Sequence, residues 1–275
     1  HYETIDIESK SNGMLLVSIN RPKSRNAMNL KFWQEMPILF SKISNDRNVR
    51  AVVISGLGKH FSAGIDMSPN EMPIKAIYSK DDSESNDIGL RAYKIQKTIL
   101  GMQKALTSIA DCDQPVIAAV HGACIGAGVD LISACDIRFC SECALFSVRE
   151  VAVGLCADVG TLQRLPKIVG NMSWVRDLCY TGRTIDSSEA MKFGLVSKVS
   201  GAGRDNVIKA ALETAEIIAS HSQLAVVGTK KSLNWSQDHS IGDGLLHVAV
   251  WNGAALMSND LKIGAEKNSN IKSKL

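Results

Sequence analysis

Three acidic side chains lie in the most apolar part of the chain, at Asp130, Glu150 and Asp158. A carboxylate in an apolar environment is costly unless it is paired or hydrogen-bonded, so protein cores rarely keep one without a reason. A reaction that moves protons needs two such groups at opposite ends of a substrate, in a shielded site that tunes their pKa. The three acids therefore predict acid–base chemistry.

The alternative for these acids is structural: each caps a helix or pairs with an arginine. The arginines available along this stretch are Arg138, Arg149 and Arg164. This interpretation is reasonable for any one acid, but it becomes less favourable for all three together.

Two glycine-containing loops accompany the acids, HFSAGIDMS at 60–68 and HGACIGAGVD at 121–130. Each follows a predicted buried strand, and glycine lets the backbone bend and approach a ligand closely. The second loop opens a helix, whose N-terminal N–H groups attract negative charge. Two such loops can present two N–H donors to one oxygen, as in an oxyanion hole for a thioester or ester carbonyl. Glycine turns after strands are also routine, and this remains the structural alternative.

Other chemistries receive less support from the motifs. The run GACIGAG at 122–128 lacks the G-x-G-x-x-G order of dinucleotide-binding loops, and no G-x-S-x-G is present. His121 follows a strand directly, which favours packing or loop hydrogen bonding over a role as base. Cys124 has no context that would lower its pKa. The single C-x-x-C at Cys140 and Cys143 has no second pair, so zinc or redox function is not favoured.

Composition points to an ordinary soluble enzyme, with 45% hydrophobic and 21% charged residues. No apolar run is long enough to span a bilayer, and a net charge of +3 without a basic cluster does not indicate nucleic-acid binding. Seven cysteines make an odd number, and five lie in or beside apolar segments, which predicts buried, reduced thiols in an intracellular compartment. The five are Cys112, Cys124, Cys135, Cys156 and Cys179.

Strand and helix patterns alternate along the first half of the chain, which predicts parallel strands and an α/β class. A polar stretch at 68–87 predicts a long exposed loop, and the pattern from 204 onward is helical. The predicted strands are 14–19, 51–55, 115–120 and 137–140, and the predicted helices are 29–44, 88–111, 127–134, 206–220, 224–234 and 242–256.

The last three residues, Ser273, Lys274 and Leu275, form a C-terminal S-K-L. This tripeptide is read by the peroxisomal import receptor, which we expect as a partner, and it predicts a peroxisome or related microbody as the location. The chain starts at His1, so an N-terminal targeting segment is not judged, and a mitochondrial copy stays open.

Five segments, in order along nearly the whole chain, carry a resemblance to a known family. They are RPKSRNAM at 21–28, HFSAGIDMS at 60–68, PVIAAVHGACIGAGVDLISACDIRF at 115–139, FSVREVAVGLCADVGTLQRLPKIVG at 146–170 and SSEAMKFGLVSKV at 187–199. With these motifs the chain resembles the enoyl-CoA hydratase/isomerase (crotonase) superfamily. The resemblance implies an α/β spiral of ββα units at 1–200, a helical trimerisation region at 201–275, and a homo-trimer or hexamer.

The acids separate the activities within this superfamily. Hydratases carry glutamates at the positions of Asp130 and Glu150 and use them to add water, whereas Asp158 stands where they usually have a small residue. The trio is similar to that of the dienoyl-CoA isomerases. It implies conversion of 3,5-dienoyl-CoA into 2,4-dienoyl-CoA by proton transfer from C2 to C6, in fatty-acid β-oxidation. A 2-enoyl-CoA hydratase and a catalytically silent acyl-CoA-binding protein remain alternatives.

The resemblance also implies roles for single residues. Glu150 and Asp158 would be the acid–base pair, and Asp130 would polarise the site. Which of the pair serves C2 stays open, although the hydratase-like position of Glu150 favours Glu150 for C2. The N–H groups of Ile65 and Ala127 would hold the thioester oxygen. Ala127 replaces the usual glycine, and we expect its methyl group to tighten the site. No metal or separate cofactor is implied, since CoA arrives as part of the substrate. The implied substrate-binding residues are Ala63, Gly64, Ile65, Asp66, Met67 and Gly128.

Overall fold

The structure is a computed structural model that describes residues 1–68, 71 and 87–261. The loop predicted at 68–87 therefore falls largely outside the described residues, and the Ser-Lys-Leu end falls entirely outside them. In the described part of the chain, no helix is both long enough and apolar enough to cross a lipid bilayer.

The chain forms two sheets and a series of helices. The strands are β1 (Ile5–Ser9), β2 (Met14–Ile19), β3 (Ala51–Gly56), β4 (Val116–Val120), β5 (Ala123–Ile125), β6 (Ile137–Ser141), β7 (Leu145–Ser147), β8 (Ile185–Asp186) and β9 (Lys198–Ser200). The helices are α1 (Leu30–Asn45), α2 (Ile88–Asp111), α3 (Ala127–Ser133), α4 (Thr161–Val169), α5 (Met172–Thr181), α6 (Ser187–Lys192), α7 (Arg204–Ala219), α8 (Gln223–Ser236) and α9 (Ile241–Ala255).

The larger sheet has the strand order β1-β2-β3-β4-β6-β9. Only β1 runs antiparallel to its neighbour, and the remaining neighbours are parallel. The connection from β2 to β3 contains α1, because parallel strands need a crossover that a tight turn cannot supply. The predicted parallel pairing of these two strands is confirmed.

Strand β4 shows why the centre of this sheet is continuously apolar. Val116, Ala118 and Val120 belong to the main core, whereas Ile117 and Ala119 face the opposite side, where α7 packs. All five side chains are fully buried, as expected for a strand covered on both faces. The predicted boundary at residue 200, between the spiral core and the C-terminal helical region, stays a prediction. Helix α7 lies beyond this boundary and packs as a layer on the sheet.

The long helices begin where their capping residues predict. The side chain of Asn29 accepts the N–H of Phe32 at the start of α1, and Asp87 accepts the N–H groups of Gly89 and Leu90 at the start of α2. Each cap satisfies a backbone donor that has no partner within the helix.

The smaller sheet, β5-β7-β8, was not predicted, nor were α4, α5 and α6. Its strands are two or three residues long, too short for an alternating pattern to appear in the sequence. Their position matters because β5 leads into α3 and β7 leads toward Glu150.

The thiol predictions hold with one exception. Cys112, Cys124, Cys135 and Cys179 are buried and free, but Cys156 is exposed. The prediction for Cys156 was wrong because the apolar residues at 151–153 lie exposed in a 3₁₀ helix, although Ala157 beside it is buried.

Candidate active site

The two glycine-containing loops lie side by side. Ser62 donates its N–H to the carbonyl of Ala123 at 3.0 Å and accepts the N–H of Ile125 at 3.0 Å. Gly64 has a φ of +93°, and a Cβ there would lie 2.9 Å from the carbonyl oxygen of Ile125 and 3.6 Å from the nitrogen of Ala127. Only glycine allows this conformation and this approach together.

Several backbone N–H groups of the two loops have acceptors within the described chain, whereas those of Ile65 and Ala127 do not. In the first loop, Ala63 donates to the carbonyl of Arg25, Gly64 to the hydroxyl of Ser62 and Asp66 to the carbonyl of Met28. In the second loop, Gly126 donates to the carbonyl of Ser147. The N–H groups of Ile65 and Ala127 donate to nothing within 1–68, 71 and 87–261. The N–H of Ala127 is free because it opens a helix, and Gly64, the residue before Ile65, lies against it, so both N–H groups are available to a ligand oxygen.

Ala127 is the first residue of α3, so its N–H lies at the positive end of the helix. Its methyl group is buried in the main hydrophobic core. Alanine in place of glycine at position 127 therefore keeps the backbone N–H donor, and its methyl group adds a contact within the core.

Asp130 lies on α3 with no exposed surface. Its Oδ1 accepts the N–H of Thr161, at the start of α4, at 2.5 Å. Oδ2 is buried and has no partner among the described residues. Burial raises the pKa of Asp130 to about 6, against the lowering effect of the hydrogen bonding from Thr161. The helix-cap alternative is thus partly right for this acid, since one oxygen caps α4.

Glu150 begins a short 3₁₀ helix, Glu150–Val153, that follows β7. A Cβ at Gly126 would lie 3.2 Å from its Oε1, so the carboxylate rests against the turn that opens α3. Its Oε2 is buried without a partner in the described chain. Burial first, and the negative charge of Asp130 second, raise the pKa of Glu150 to about 7.

Asp158 is half-buried, and burial raises its pKa. Its charge also raises the pKa values of Asp130 and Glu150, the direction expected for neighbouring carboxylates. Thr161, whose N–H binds Asp130, lies three residues after Asp158, so this hydrogen bond joins the two segments. The carboxylate of Asp158 interacts with the N–H of its own residue and with no other group among the described residues' hydrogen bonds. Its backbone carbonyl accepts a hydrogen bond from Nε2 of Gln103 at 2.7 Å.

The arginine alternative fails as an ion-pair arrangement, because the three arginines donate hydrogen bonds elsewhere, although the charge of Arg164 lowers the pKa of Asp130. The contacts are Arg138 to Cys135 and Leu195, Arg149 to Gly182, and Arg164 to Val159 and Thr107. None of the three acids forms an ion pair with any described residue. Three unpaired carboxyl groups with raised pKa values, beside two free N–H donors, form a site that can polarise a carbonyl and move protons next to it.

Other predicted substrate contacts have different surroundings. Asp66 pairs with Arg21 at 2.7 Å and accepts hydrogen bonds from Ser68, so its carboxylate is already engaged within the protein. A Cβ at Gly128 would meet Sγ of Cys124 at 3.3 Å, so this glycine permits close packing of α3. Ala63 is half-buried and Met67 exposed.

His121 forms hydrogen bonds within the loop region, as its position directly after a strand predicted. Its Nε2 lies 3.1 Å from the carbonyl oxygen of Gly58, and its backbone carbonyl accepts the N–H of Phe61. Burial lowers its pKa, which keeps the ring neutral.

Sequence reasoning did not single out Thr161 and Gln103, which support the acids, and it named Arg164 only as a possible ion-pair partner. The GxG spacing around Gly126 marked that position, but Gln103 lies 55 residues from Asp158 and carries no local signal.

We expect Asp130→Asn to raise the free energy of unfolding more at pH 8 than at pH 5. The folded protein raises the pKa of this carboxyl from 3.8 to about 6, so stability falls as pH rises from about 4 to about 6 and stays lower above that. The neutral amide removes this loss and keeps an oxygen for the N–H of Thr161. A gain of about 1–3 kcal/mol at pH 8 is expected from urea unfolding.

The control for this variant is Asp205→Asn, at an exposed carboxylate on α7. The same change in stability at pH 5 and pH 8 for Asp130→Asn would show that burial of the charge is not the cause.

The chain is similar in sequence and in structure to several known proteins. The family model described as enoyl-CoA hydratase/isomerase matches residues 9–245. The human protein named mitochondrial Delta(3,5)-Delta(2,4)-dienoyl-CoA isomerase is 47% identical over 260 residues, which cover 94% of this chain and 77% of the relative. The Arabidopsis thaliana protein of the same name, marked peroxisomal, is 44% identical over 262 residues, 94% of this chain and 92% of the relative. A solved structure of a putative enoyl-CoA hydratase from Streptomyces coelicolor is similar with a TM-score of 0.85 at 27% identity, covering 100% of this chain and 93% of that one.

Proposed function

The chain belongs to the enoyl-CoA hydratase/isomerase family, and from that premise we infer that it converts 3,5-dienoyl-CoA thioesters into their 2,4-dienoyl isomers. Its fold is the crotonase-type α/β fold. The observation that carries the activity is the third acid: Asp158 lies close enough to Asp130 and Glu150 to raise the pKa of both.

We propose that the N–H groups of Ile65 and Ala127 bind the thioester oxygen. Their donation stabilises the negative charge that develops on this oxygen when a proton leaves C2, which makes the C2 proton more acidic. The carboxylate of Glu150 rests against Gly126, the residue before Ala127. This contact supports a position for Glu150 beside C2 of a thioester bound by the two N–H groups. Glu150 is therefore the base that removes the C2 proton.

Asp158 is then the acid that delivers a proton to C6. The C2–H bond breaks, the electron pair moves along the conjugated chain, and a C6–H bond forms, so that the double bonds shift from positions 3 and 5 to positions 2 and 4. The oxidation level of the substrate does not change, and the reaction as proposed needs no redox cofactor or metal. Asp130, bound to the N–H of Thr161, adjusts the pKa of Glu150 through its charge.

Purified protein tests this proposal directly. With 3,5-dienoyl-CoA, an isomerase produces a rising absorbance of the conjugated 2,4-dienoyl product. Robust hydration of a 2-enoyl-CoA without that signal would overturn the isomerase assignment.

A hydratase is the second candidate, favoured by Glu150 and by the shared scaffold. Water addition in this family uses a pair of glutamates, and the first position here is Asp130. The same two assays separate the candidates. A silent acyl-CoA-binding protein would retain neither activity, and the three retained acids argue against it.

The C-terminal helices support assembly into a homo-trimer or hexamer. Helices α8 and α9 pack against each other, and α9 buries none of its side chains within the described chain. Exposed apolar surface of this extent marks an interface between proteins. The exposed residues are Leu233, Trp235, Ile241, Leu245, Leu246, Val250, Leu256 and Met257.

We expect the double variant Leu245→Glu, Val250→Glu to dissociate this assembly, because burying two charges in an apolar interface is unfavourable. Light scattering after size-exclusion chromatography measures the mass. Ile217→Glu on α7, also exposed and apolar, is the control and keeps the wild-type mass. A monomeric wild type would contradict the proposal.

The curated relatives include mitochondrial and peroxisomal proteins. The Ser273-Lys274-Leu275 tripeptide supports a peroxisomal location through the import receptor. Removal of these three residues, with the location followed by fluorescence, tests the proposal, and an unchanged location would overturn it.

A further inference from the structure

In the segment from Asp158 to Thr161, three backbone groups form hydrogen bonds with side chains of other elements. Nε2 of Gln103, on α2, donates to the carbonyl oxygen of Asp158 at 2.7 Å. Nη1 of Arg164, on α4, donates to the carbonyl oxygen of Val159 at 3.5 Å. The N–H of Thr161 donates to Asp130. The backbone beside Asp158 is thus held from α2, α3 and α4.

Arg164 fits this segment because residue 160 is glycine. Gly160 has a φ of +137°, and a Cβ there would lie 1.9 Å from Nη1 of Arg164, so the guanidinium occupies the space that a side chain would need. Nη2 of the same guanidinium donates to Oγ1 of Thr107 at 2.9 Å. Thr107 lies one turn after Gln103 on α2, so one face of that helix supports both contacts.

No side chain among the described residues donates a hydrogen bond to the carboxylate of Asp158, which interacts with the N–H of its own residue, so its backbone decides where it lies. We infer that Gln103 and Arg164 are positioning residues that fix the Asp158 carboxylate relative to Glu150. They would thereby set the separation between the group that acts at C2 and the group that acts at C6. This inference rests on the proposed isomerase function. A displacement of about 1 Å at a reacting group can cost on the order of 100-fold in rate.

Gln103→Met tests the contact, since methionine has a similar length and no donor. The kcat for 3,5-dienoyl-CoA is expected to fall about 10- to 100-fold, while KM and the melting temperature stay close to the wild-type values. Arg164→Met is expected to lower kcat as well, and Arg164→Lys, which keeps a donor for the carbonyl of Val159, is expected to retain more activity. Gln163→Met, at an exposed glutamine on α4, is the matched control.

Each result separates the possibilities. An unchanged kcat for Gln103→Met, beside an active wild type, overturns the positioning role. A parallel fall of kcat and melting temperature in both methionine variants, without better activity in Arg164→Lys, assigns these residues to general stability and also overturns it. A wild type that fails to isomerise 3,5-dienoyl-CoA removes the premise itself, and so marks a failure of the proposed function.

Discussion

Asp158→Asn is expected to lose nearly all isomerase activity, with kcat lower by roughly 1,000- to 10,000-fold. The amide has the size of the carboxyl group but has no acidic proton for C6, so the conjugated intermediate cannot be completed at its far end. Binding of the CoA thioester is expected to stay within about threefold of wild type, because the N–H groups of Ile65 and Ala127 are unaffected. The absorbance assay with 3,5-dienoyl-CoA gives the rate, and calorimetry with a saturated acyl-CoA gives the affinity.

Asp205→Asn is the control for this variant, because it removes an exposed carboxylate far along the chain from the site. Unchanged turnover in Asp158→Asn would remove Asp158 from the mechanism. Loss of thioester binding together with turnover would make it a binding residue instead.

Glu150→Gln is expected to lower kcat by about 100- to 10,000-fold, the range for removal of a general base. The ionised carboxylate is the form that accepts the C2 proton. Its pKa is raised to about 7, so kcat/KM of the wild type is expected to rise as pH increases through an apparent pKa near 7. The amide does not titrate, and the variant is expected to lose this limb of the pH profile.

The comparison for this second variant is Glu142→Gln, at an exposed glutamate eight residues earlier. It is expected to keep both the rate and the pH profile of the wild type. An unchanged limb near pH 7 in Glu150→Gln would assign that titration to another group, with Asp130 the first to examine because its pKa is raised to about 6.

The two variants replace acidic groups whose burial lowers the stability of the folded protein. Asp130 and Glu150 are buried and Asp158 is half-buried, and none of them has an ion pair in the described chain. This burial of unpaired acids costs stability at neutral pH. The Asp130→Asn experiment measures that cost apart from catalysis. A variant that is more stable and less active is the expected signature of a site that retains buried charge for its chemistry.

The sequence by itself determined the main strands, the long helices and the identity of the acids. Strand β4 shows an unbroken apolar run, and α2 begins after a capping Asp87 and runs over the predicted residues. These are local signals, because periodicity and capping depend on residues that are neighbours along the chain. The two loops with Ile65 and Ala127 were found in the same way, from glycines that follow buried strands.

Only the tertiary structure decided how these parts act together. The unused N–H groups of Ile65 and Ala127 can be recognised only in the folded chain, where the neighbouring donors Gly64, Asp66 and Gly126 have acceptors. The contact of Glu150 with Gly126 and that of Gln103 with the Asp158 carbonyl join residues distant in the chain. A pKa near 7 for Glu150 requires burial and the nearby charge of Asp130, and both depend on the folded arrangement. The identity of the acids can therefore be read from the sequence. Their pKa values and their spacing depend on packing between elements that are distant along the chain.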